Sequence, residues 1–224
     1  MKKIKIIIGS LFAFLLIWNC ADDENLDFLD NVVAPTNVSA LFQVTQDHSG
    51  LVTITPNGDG ASKFNILFGD GTETPAEVDL GETISHTYEE GTYTVNVEAV
   101  GITGLKTQIT QPLVVSFNAP ENLDVLIEND EAISKKVNVT VTADFAVSYD
   151  VYFGEDGNDT PVTANIGEVA SYTYQEAGTY SIRVEVMGAA IQTTEYTEDF
   201  VVTEILQPIA PAPIQPNRAT QDVI

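Results

Sequence analysis

Apolar and polar residues alternate one by one along several stretches of the chain. The alternation is clearest at residues 92–99, 137–142 and 179–186, where Val, Ile, Tyr and Ala alternate with Thr, Ser, Asn, Arg and Glu. A period of two predicts strands with one face in a core and the other in water. No stretch after the N-terminal region keeps a helical period. Short strands separated by Gly, Asn, Asp and Pro turns predict an all-β protein built as a sandwich.

A set of short motifs occurs twice. Residues 68–72 read Phe-Gly-Asp-Gly-Thr and are followed at residues 86–95 by His-Thr-Tyr and Gly-Thr-Tyr-Thr-Val. Residues 153–157 and 172–182 repeat this order, at an offset that grows from 85 to 87. The added residues fall in turns and leave the strands intact. The chain is therefore predicted to contain two independently folded copies of one unit.

These motifs resemble the PKD domain, an immunoglobulin-like β-sandwich common in surface proteins. Its signature is an aromatic-Gly-Asp-Gly turn, then His-x-Tyr, then Gly-x-Tyr-x-Val. The first copy has all three parts, whereas the second has an additional acidic residue, Glu155, and Tyr172 in place of the His. The resemblance covers about residues 34–203. It implies two tandem immunoglobulin-like (PKD) β-sandwiches, at residues 34–116 and 117–204.

The N-terminus has the pattern of a secretion signal. Residues 1–5 are basic, and the apolar run at residues 6–17 is shorter than the roughly 20 residues of a membrane-spanning helix. Leu-Ile-Trp-Asn-Cys at residues 16–20 resembles a lipobox. The resemblance implies a lipoprotein signal peptide at residues 1–19 and lipidation of Cys20. The alternative is that Cys20 is a buried residue at the end of an uncleaved anchor.

An acidic tether follows at residues 20–33. Asp22, Asp23 and Glu24 resemble the export signal that directs lipoproteins to the outer face of the outer membrane in bacteria with Sus-type glycan uptake systems. A solvated tether without a signal is the alternative, since acidic polar segments are typically solvated.

Charge limits the possible partners. The formal net charge is −24 at pH 7, and loss of the signal peptide would remove three lysines. Such a charge repels nucleic acid and anionic head groups, so neither is an expected partner. Cys20 is the only cysteine, so each sandwich is expected to be stable without an internal disulfide.

The Gly-Asp-Gly turn is predicted to be structural. Asp70 can accept hydrogen bonds from nearby amides, and Tyr88 and Tyr93 are expected to pack below the turn with their hydroxyls bonded locally. A weak Ca²⁺ site is the alternative, because calcium needs six to eight oxygen ligands. Its candidate ligands are Asp70, Glu73, Asp156 and Asp159. No cofactor is otherwise expected.

Catalysis is not expected. The two histidines, His48 in a polar turn and His86 in the His-x-Tyr motif, have no Ser or Cys partner in a known arrangement. A glycosidase needs two carboxylates, but a small sandwich with short turns rarely offers a cleft for them. Residues 57–60, Asn-Gly-Asp-Gly, are predicted to be a loop between two strands, since no helix or Lys-Ser/Thr follows for a phosphate.

Sugar binding usually relies on exposed aromatic rings. The only Trp, Trp18, lies in the predicted signal peptide. Tyrosines at strand positions are more often half-buried than exposed, so the two sandwiches are expected to be spacers rather than binding modules. The candidate sugar platforms are Tyr149, Tyr152, Tyr172 and Tyr196.

Residues 205–224 are rich in Pro and are predicted to be a semi-rigid linker. They resemble the entry into a C-terminal domain found after PKD repeats in surface glycan-binding lipoproteins.

Together the motifs resemble SusE-like proteins of polysaccharide utilisation systems. The resemblance implies a non-catalytic lipoprotein at the cell surface, anchored in the outer membrane, whose PKD-like domains hold a polysaccharide-binding domain near a SusC/SusD-type importer. The alternatives are an adhesion or protein-interaction module and the non-catalytic N-terminal part of a surface glycoside hydrolase.

Overall fold

A computed structural model describes residues 33–205, and every regular element in this part of the chain is a β-strand. The strands of the first sandwich are β1 (Thr36–Val44), β2 (Leu51–Asp59), β3 (Ala61–Leu67), β4 (Ala76–Asp79), β5 (Ile84–Thr87), β6 (Gly91–Gly101) and β7 (Lys106–Val115). Those of the second are β8 (Glu121–Asn129), β9 (Lys136–Asp144), β10 (Ser148–Tyr152), β11 (Val162–Asn165), β12 (Val169–Thr173), β13 (Gly178–Met187) and β14 (Thr194–Val202).

The two sandwiches have the same topology. In the first, a three-stranded sheet of order β1-β2-β5 faces a four-stranded sheet of order β4-β3-β6-β7. In the second, the sheets have the orders β8-β9-β12 and β11-β10-β13-β14. All the strand pairs are antiparallel. Seven strands divided between two such sheets form an immunoglobulin-like sandwich, as predicted.

The alternation read from the sequence corresponds to the two faces of the strands. In β6, Val95, Val97 and Ala99 are fully buried, while the residues between them are partly exposed. Strands β9 and β13 show the same pattern. Each sandwich therefore has its own core, formed by the inward side chains of both sheets.

The predicted loop at residues 57–60 is shorter than expected. Strand β2 continues through Asp59, and only Gly60 separates it from β3. Gly60 has a φ of 76°, which turns the chain from one sheet of the sandwich to the other. The prediction was wrong because Asn57 and Gly58, although they are common in turns, occupy strand positions here.

The repeat extends to single hydrogen bonds. The hydroxyl of Thr107 on β7 donates to the carbonyl of Pro35 at 2.6 Å, and that of Thr194 on β14 donates to Pro120 at 2.6 Å. In both sandwiches this bond fixes the entering chain beside the last strand. The two entry points are therefore equivalent.

Several sequence predictions concern residues outside the described part of the chain and stay predictions. These are the signal peptide at residues 1–19, Cys20, the export signal Asp22, Asp23 and Glu24, and the linker beyond Ile205. Between residues 33 and 205, no helix is long and apolar enough to cross a membrane.

Candidate functional site

The first glycine of each turn lies against a neighbouring strand. Gly69 has a φ of 77°, and a Cβ at this position would lie 2.3 Å from the carbonyl oxygen of Thr94 on β6. Gly154 has a φ of 68°, and its Cβ would lie 2.3 Å from the carbonyl oxygen of Ser181 on β13. Both turns therefore require glycine for its backbone conformation and for its lack of a side chain.

In the first turn, both carboxylate oxygens of Asp70 have partners. Oδ1 accepts the amide of Thr72 at 3.0 Å, and Oδ2 lies 2.7 Å from Nε2 of His86. The imidazole of His86 stacks on the ring of Phe68, with 3.9 Å between centroids and 6° between planes. Hydrogen bonds from the Thr72 hydroxyl, the Thr72 amide and His86 lower the pKa of Asp70 to about 2.

The second turn reaches the same arrangement with different residues. Tyr172 replaces the histidine and stacks on Phe153, with 5.1 Å between centroids and 20° between planes. Its hydroxyl donates to Glu155, whose other oxygen accepts the amide of Gln175 at 2.9 Å. The bond from Tyr172 lowers the pKa of Glu155. In the sequence, the inserted Glu and the replacement of His by Tyr are separate changes. In the structure they belong together, because a Tyr–Glu pair in the second turn takes the place of the His–Asp pair in the first.

Tyrosines support both turns, as predicted: Tyr88 and Tyr174 are buried, and Tyr93 and Tyr180 are half-buried. The hydroxyl of Tyr88 donates to the carbonyl of Phe68 at 3.2 Å. That of Tyr93, at the start of β6, donates to the carbonyl of Glu89 at 2.9 Å, which is the tyrosine corner of immunoglobulin-like domains. The equivalent bonds in the second sandwich come from Tyr174 and Tyr180.

The candidate calcium ligands do not converge. Asp70 and Glu73 lie on the first sandwich, whereas Asp156 and Asp159 lie on the second. Within residues 33–205, no three His, Cys, Asp or Glu side chains form a group that could hold a metal ion. The hydrogen bonds of Asp70 instead fit the structural role.

The candidate sugar platforms belong largely to the core. Tyr149 is fully buried, and its hydroxyl bonds the carbonyls of Val139 at 2.8 Å and Glu168 at 2.6 Å. Tyr152 is half-buried, and the guanidinium of Arg183 lies 3.8 Å from its ring centroid. The remaining two candidates, also half-buried and with hydroxyls bonded to carboxylates, are Tyr172 and Tyr196.

The two sandwiches are joined by a side chain that the sequence did not single out. Asn165, at the end of β11, is 5% exposed. Its amide nitrogen donates to the carbonyl of Ala40 at 2.7 Å, and its amide oxygen accepts the amide of Phe42 at 2.8 Å. Ala40 and Phe42 lie on β1, at the edge of its sheet. One side chain of the second sandwich thus satisfies backbone groups on an edge strand of the first.

A second amide completes this network. Gln111 on β7 is 9% exposed, and its side-chain oxygen accepts the amide of Ala40 at 3.2 Å. Its nitrogen donates to Glu168 at 2.9 Å, and Asn165 donates to the other oxygen of Glu168 at 3.1 Å. Side chains of both sandwiches therefore share one network of hydrogen bonds, which we call the joint: Gln111, Asn165, Glu168 and the Ala40–Phe42 backbone.

Apolar contacts flank the joint. Val147 and Ala189 of the second sandwich are buried, and both pack into the core of the first. The amide of His48 donates to the carbonyl of Ala189 at 2.9 Å, and the His48 ring contacts Phe117, with 5.6 Å between centroids. His48 lies in a polar turn as predicted, but its contact with the second sandwich was not foreseen.

Acid stability tests the role of Asp70. Because its pKa is lowered on folding, Asp70 stabilises the fold above its unfolded value of about 4, and this contribution is lost as the pH falls to about 2. We expect Asp70→Asn to be less stable at pH 7 and to lose less stability than the parent between pH 4 and 2. Urea unfolding followed by circular dichroism measures both. Asp159→Asn, at an exposed position, is the control. If the stability of Asp70→Asn and that of the parent changed equally between pH 4 and 2, the stabilising role assigned to the Asp70 carboxylate would be contradicted.

Alkaline titration tests the buried hydroxyls. Burial raises the pKa of Tyr149 to about 12 and also raises the pKa values of Tyr88 and Tyr174. Their contribution to stability is therefore complete below the unfolded value of about 10 and is lost as the pH rises through the raised values. Absorbance at 295 nm should show a late group of tyrosines that ionise together with loss of the fold. Ionisation of all eight near pH 10 with the fold intact would contradict this.

No protein-family model and no curated protein matches the chain. Among solved structures, it is similar to the fibronectin(III)-like modules of CbhA from Clostridium thermocellum, with 15% identity, a TM-score of 0.31 and coverage of 74% of this chain and 94% of that one. It is also similar to a β-glycosidase from Bacteroides vulgatus, with 11% identity, a TM-score of 0.29 and coverage of 75% of this chain and 25% of that one. Structural similarity at these TM-scores gives no information about function.

Proposed function

We propose that the protein is a non-catalytic lipoprotein of the outer-membrane surface in which two PKD-like sandwiches form a spacer for polysaccharide capture. Cys20 is the proposed lipid attachment site, and Asp22, Asp23 and Glu24 form the proposed export signal. The proposal extends to a Sus-type uptake system, with a SusC/SusD-type importer as the neighbour.

The joint is the observation that best supports a spacer. A flexible connection would let a bound polymer move freely relative to the anchor, whereas a fixed one keeps it at a defined distance. Here only five residues separate β7 from β8, and the amide of Phe117 among them bonds Glu90 of the first sandwich at 2.7 Å. The connection is thus held by its own contacts as well as by the joint.

The burial and covering of the candidate aromatic rings favour a spacer over a sugar-binding module. Stacking on a sugar needs an open ring face, yet Tyr149 is fully buried and Arg183 covers the ring of Tyr152. In this proposal the tether and spacer raise the effective concentration of captured polymer at the importer.

Localisation in cells tests the anchor and the signal. Cys20→Ala is expected to release the protein from the membrane fraction. The triple variant Asp22→Ala/Asp23→Ala/Glu24→Ala is expected to stay membrane-bound but to become protected from protease added outside the cells. If protease added outside the cells also fails to cleave the unsubstituted protein, the proposed surface exposure is contradicted.

Affinity electrophoresis of residues 34–204 in neutral glycans tests the spacer. The proposal predicts unchanged mobility. Retardation would contradict it and favour a binding or adhesion module, in which the sandwich faces contact the partner.

A further inference from the structure

The two sandwiches meet through two different faces of the same fold. On the first sandwich the acceptor face comprises residues 40–42 of β1 and residues 111–114 of β7. On the second sandwich the inserting face comprises Val147, residues 165–168 and Ala189. Because both sandwiches have the same topology, each of them carries both faces. The second sandwich therefore has a free acceptor face, and the first has a free inserting face.

The free acceptor face follows from the repeat. At the offset of 85, residues 125–127 on β8 correspond to residues 40–42, and at the offset of 87, residues 198–201 on β14 correspond to residues 111–114. Apolar side chains are retained at most of these positions, since Val, Leu, Ile and Phe take the places of Ala, Leu, Phe and Leu. The free face thus keeps much of the apolar surface on which a sandwich docks in the joint.

This apolar surface is more open than its counterpart. Phe42 and Leu113 are 1% and 2% exposed, and both line the cavity of about 270 Å³ between the sandwiches. The corresponding residues of the second sandwich, Ile127 and Phe200, are half-buried, and Val201 is 58% exposed. Accessible apolar side chains of this kind favour docking of another sandwich unless something opposes it.

Two positions of the free acceptor face are acidic. Gln111 corresponds to Glu198 and Pro112 to Asp199, and both acidic residues are exposed. In the joint, the amide nitrogen of Gln111 donates to Glu168 at 2.9 Å. A glutamate at this position has no such donor and would set one carboxylate against another.

The free inserting face differs in the same direction. At the offset of 86, Asn165 corresponds to Asp79 and Glu168 to Glu82, and both residues of the first sandwich are exposed. In the joint, the amide nitrogen of Asn165 donates to the carbonyl of Ala40 at 2.7 Å. An ionised aspartate cannot donate this bond and would place a negative oxygen against the carbonyl oxygen.

The free inserting face also differs in size and polarity. Ala189 corresponds to Ile102 at the offset of 87, and Val147 corresponds to Ser62 at the offset of 85. Ala189 is fully buried and packs with Val147 into the core of the first sandwich. Isoleucine is too large for the space that this alanine fills, and serine lacks the apolar surface of the valine.

We propose that these replacements prevent two copies of the protein from docking end to end through their free faces. Docked as in the joint, Glu198 of one copy would face Glu82 of the next, and both carboxylates would lose water without gaining a donor. Asp79 would face the carbonyl of Val125. Two compatible faces of this kind build open chains of copies, so the acidic residues confine docking to the one joint within each chain.

Mixing two variants tests the proposal in the chain expressed from residue 20 with Cys20→Ser. Asp79→Asn/Ile102→Ala gives the free inserting face the residues of the joint, and Glu198→Gln/Asp199→Ser removes the charges of the free acceptor face. All four positions are exposed, so both variants are expected to fold like the parent, which circular dichroism checks. At concentrations on the order of 100 μM, sedimentation velocity is expected to show monomers of the parent and of each variant alone, and dimers when the two variants are mixed.

A matched control separates the faces from net charge. Asp156→Asn/Asp159→Ser changes the charge by the same amount as Glu198→Gln/Asp199→Ser, at exposed positions of the turn that follows β10. Strand β13 lies between β10 and β14 in the sheet, so this turn is away from the free acceptor face. Mixed with Asp79→Asn/Ile102→Ala, the control variant should stay monomeric.

Three outcomes would overturn the proposal. Association of the parent with itself means that the acidic residues do not prevent docking. Monomers in the mixture of the two variants mean that the free faces do not fit each other even without the replacements. Dimers in the mixture with the control variant mean that net charge, and not the charge at these faces, keeps the copies apart.

Discussion

Gly69→Ala is expected to destabilise the first sandwich by about 2–4 kcal/mol. The new Cβ would lie 2.3 Å from the carbonyl oxygen of Thr94, at a backbone φ of 77° that L-residues rarely adopt. Strand β6 cannot move away easily, because Thr94 is paired with Pro112 on β7. Urea unfolding followed by circular dichroism measures the loss.

Gly71→Ala measures the cost of the backbone conformation without the steric clash that Gly69→Ala adds. Gly71 also has a positive φ, 94°, but nothing lies within 4 Å of its Cβ position. We expect a loss of about 1 kcal/mol from the backbone alone. Gly154→Ala should have an effect on the second sandwich as large as that of Gly69→Ala on the first. Equal losses at Gly69 and Gly71 would contradict the role assigned to the contact with Thr94.

Asn165→Ala is expected to open the joint. The variant leaves the carbonyl of Ala40 and the amide of Phe42 without their side-chain partner, at a cost of about 1–3 kcal/mol. Hydrogen exchange at the Phe42 amide is the most specific measurement, and we expect it to become faster by on the order of ten-fold or more.

Asp79→Ala is the matched control for this variant. Asp79 occupies the position of the first sandwich that corresponds to Asn165, but it is exposed. The substitution should leave exchange at Phe42 unchanged. If Asn165→Ala also left exchange at the Phe42 amide unchanged, the hydrogen bonds of Asn165 would not contribute to the stability of the joint.

Much of the fold could be predicted because it depends on local sequence. The alternation at residues 92–99 gave β6 and its buried face, since side chains of a strand alternate between the two sides of a sheet. The Gly-Asp-Gly motif gave the turn at Gly69, since few residues other than glycine adopt such a φ. Repetition of both patterns gave the second sandwich.

The joint could not be predicted because it depends on contacts between distant residues. Asn165 bonds Phe42, 123 positions earlier in the chain, and an Asn near the end of a strand is also an ordinary turn residue. The exchange of His86 and Asp70 for Tyr172 and Glu155 was hidden for a related reason. Each change is separate in the sequence, and only the folded turn places the two side chains in contact.

The account depends most on the two sandwiches being held in one relative orientation. Spin labels on Thr92→Cys and Thr179→Cys, both at exposed strand positions, measure this orientation in a Cys20→Ser background by pulsed dipolar spectroscopy. A fixed joint predicts one narrow distance distribution that broadens in Asn165→Ala. A distribution that is already broad in the parent, and that Asn165→Ala leaves unchanged, would contradict a spacer of fixed geometry.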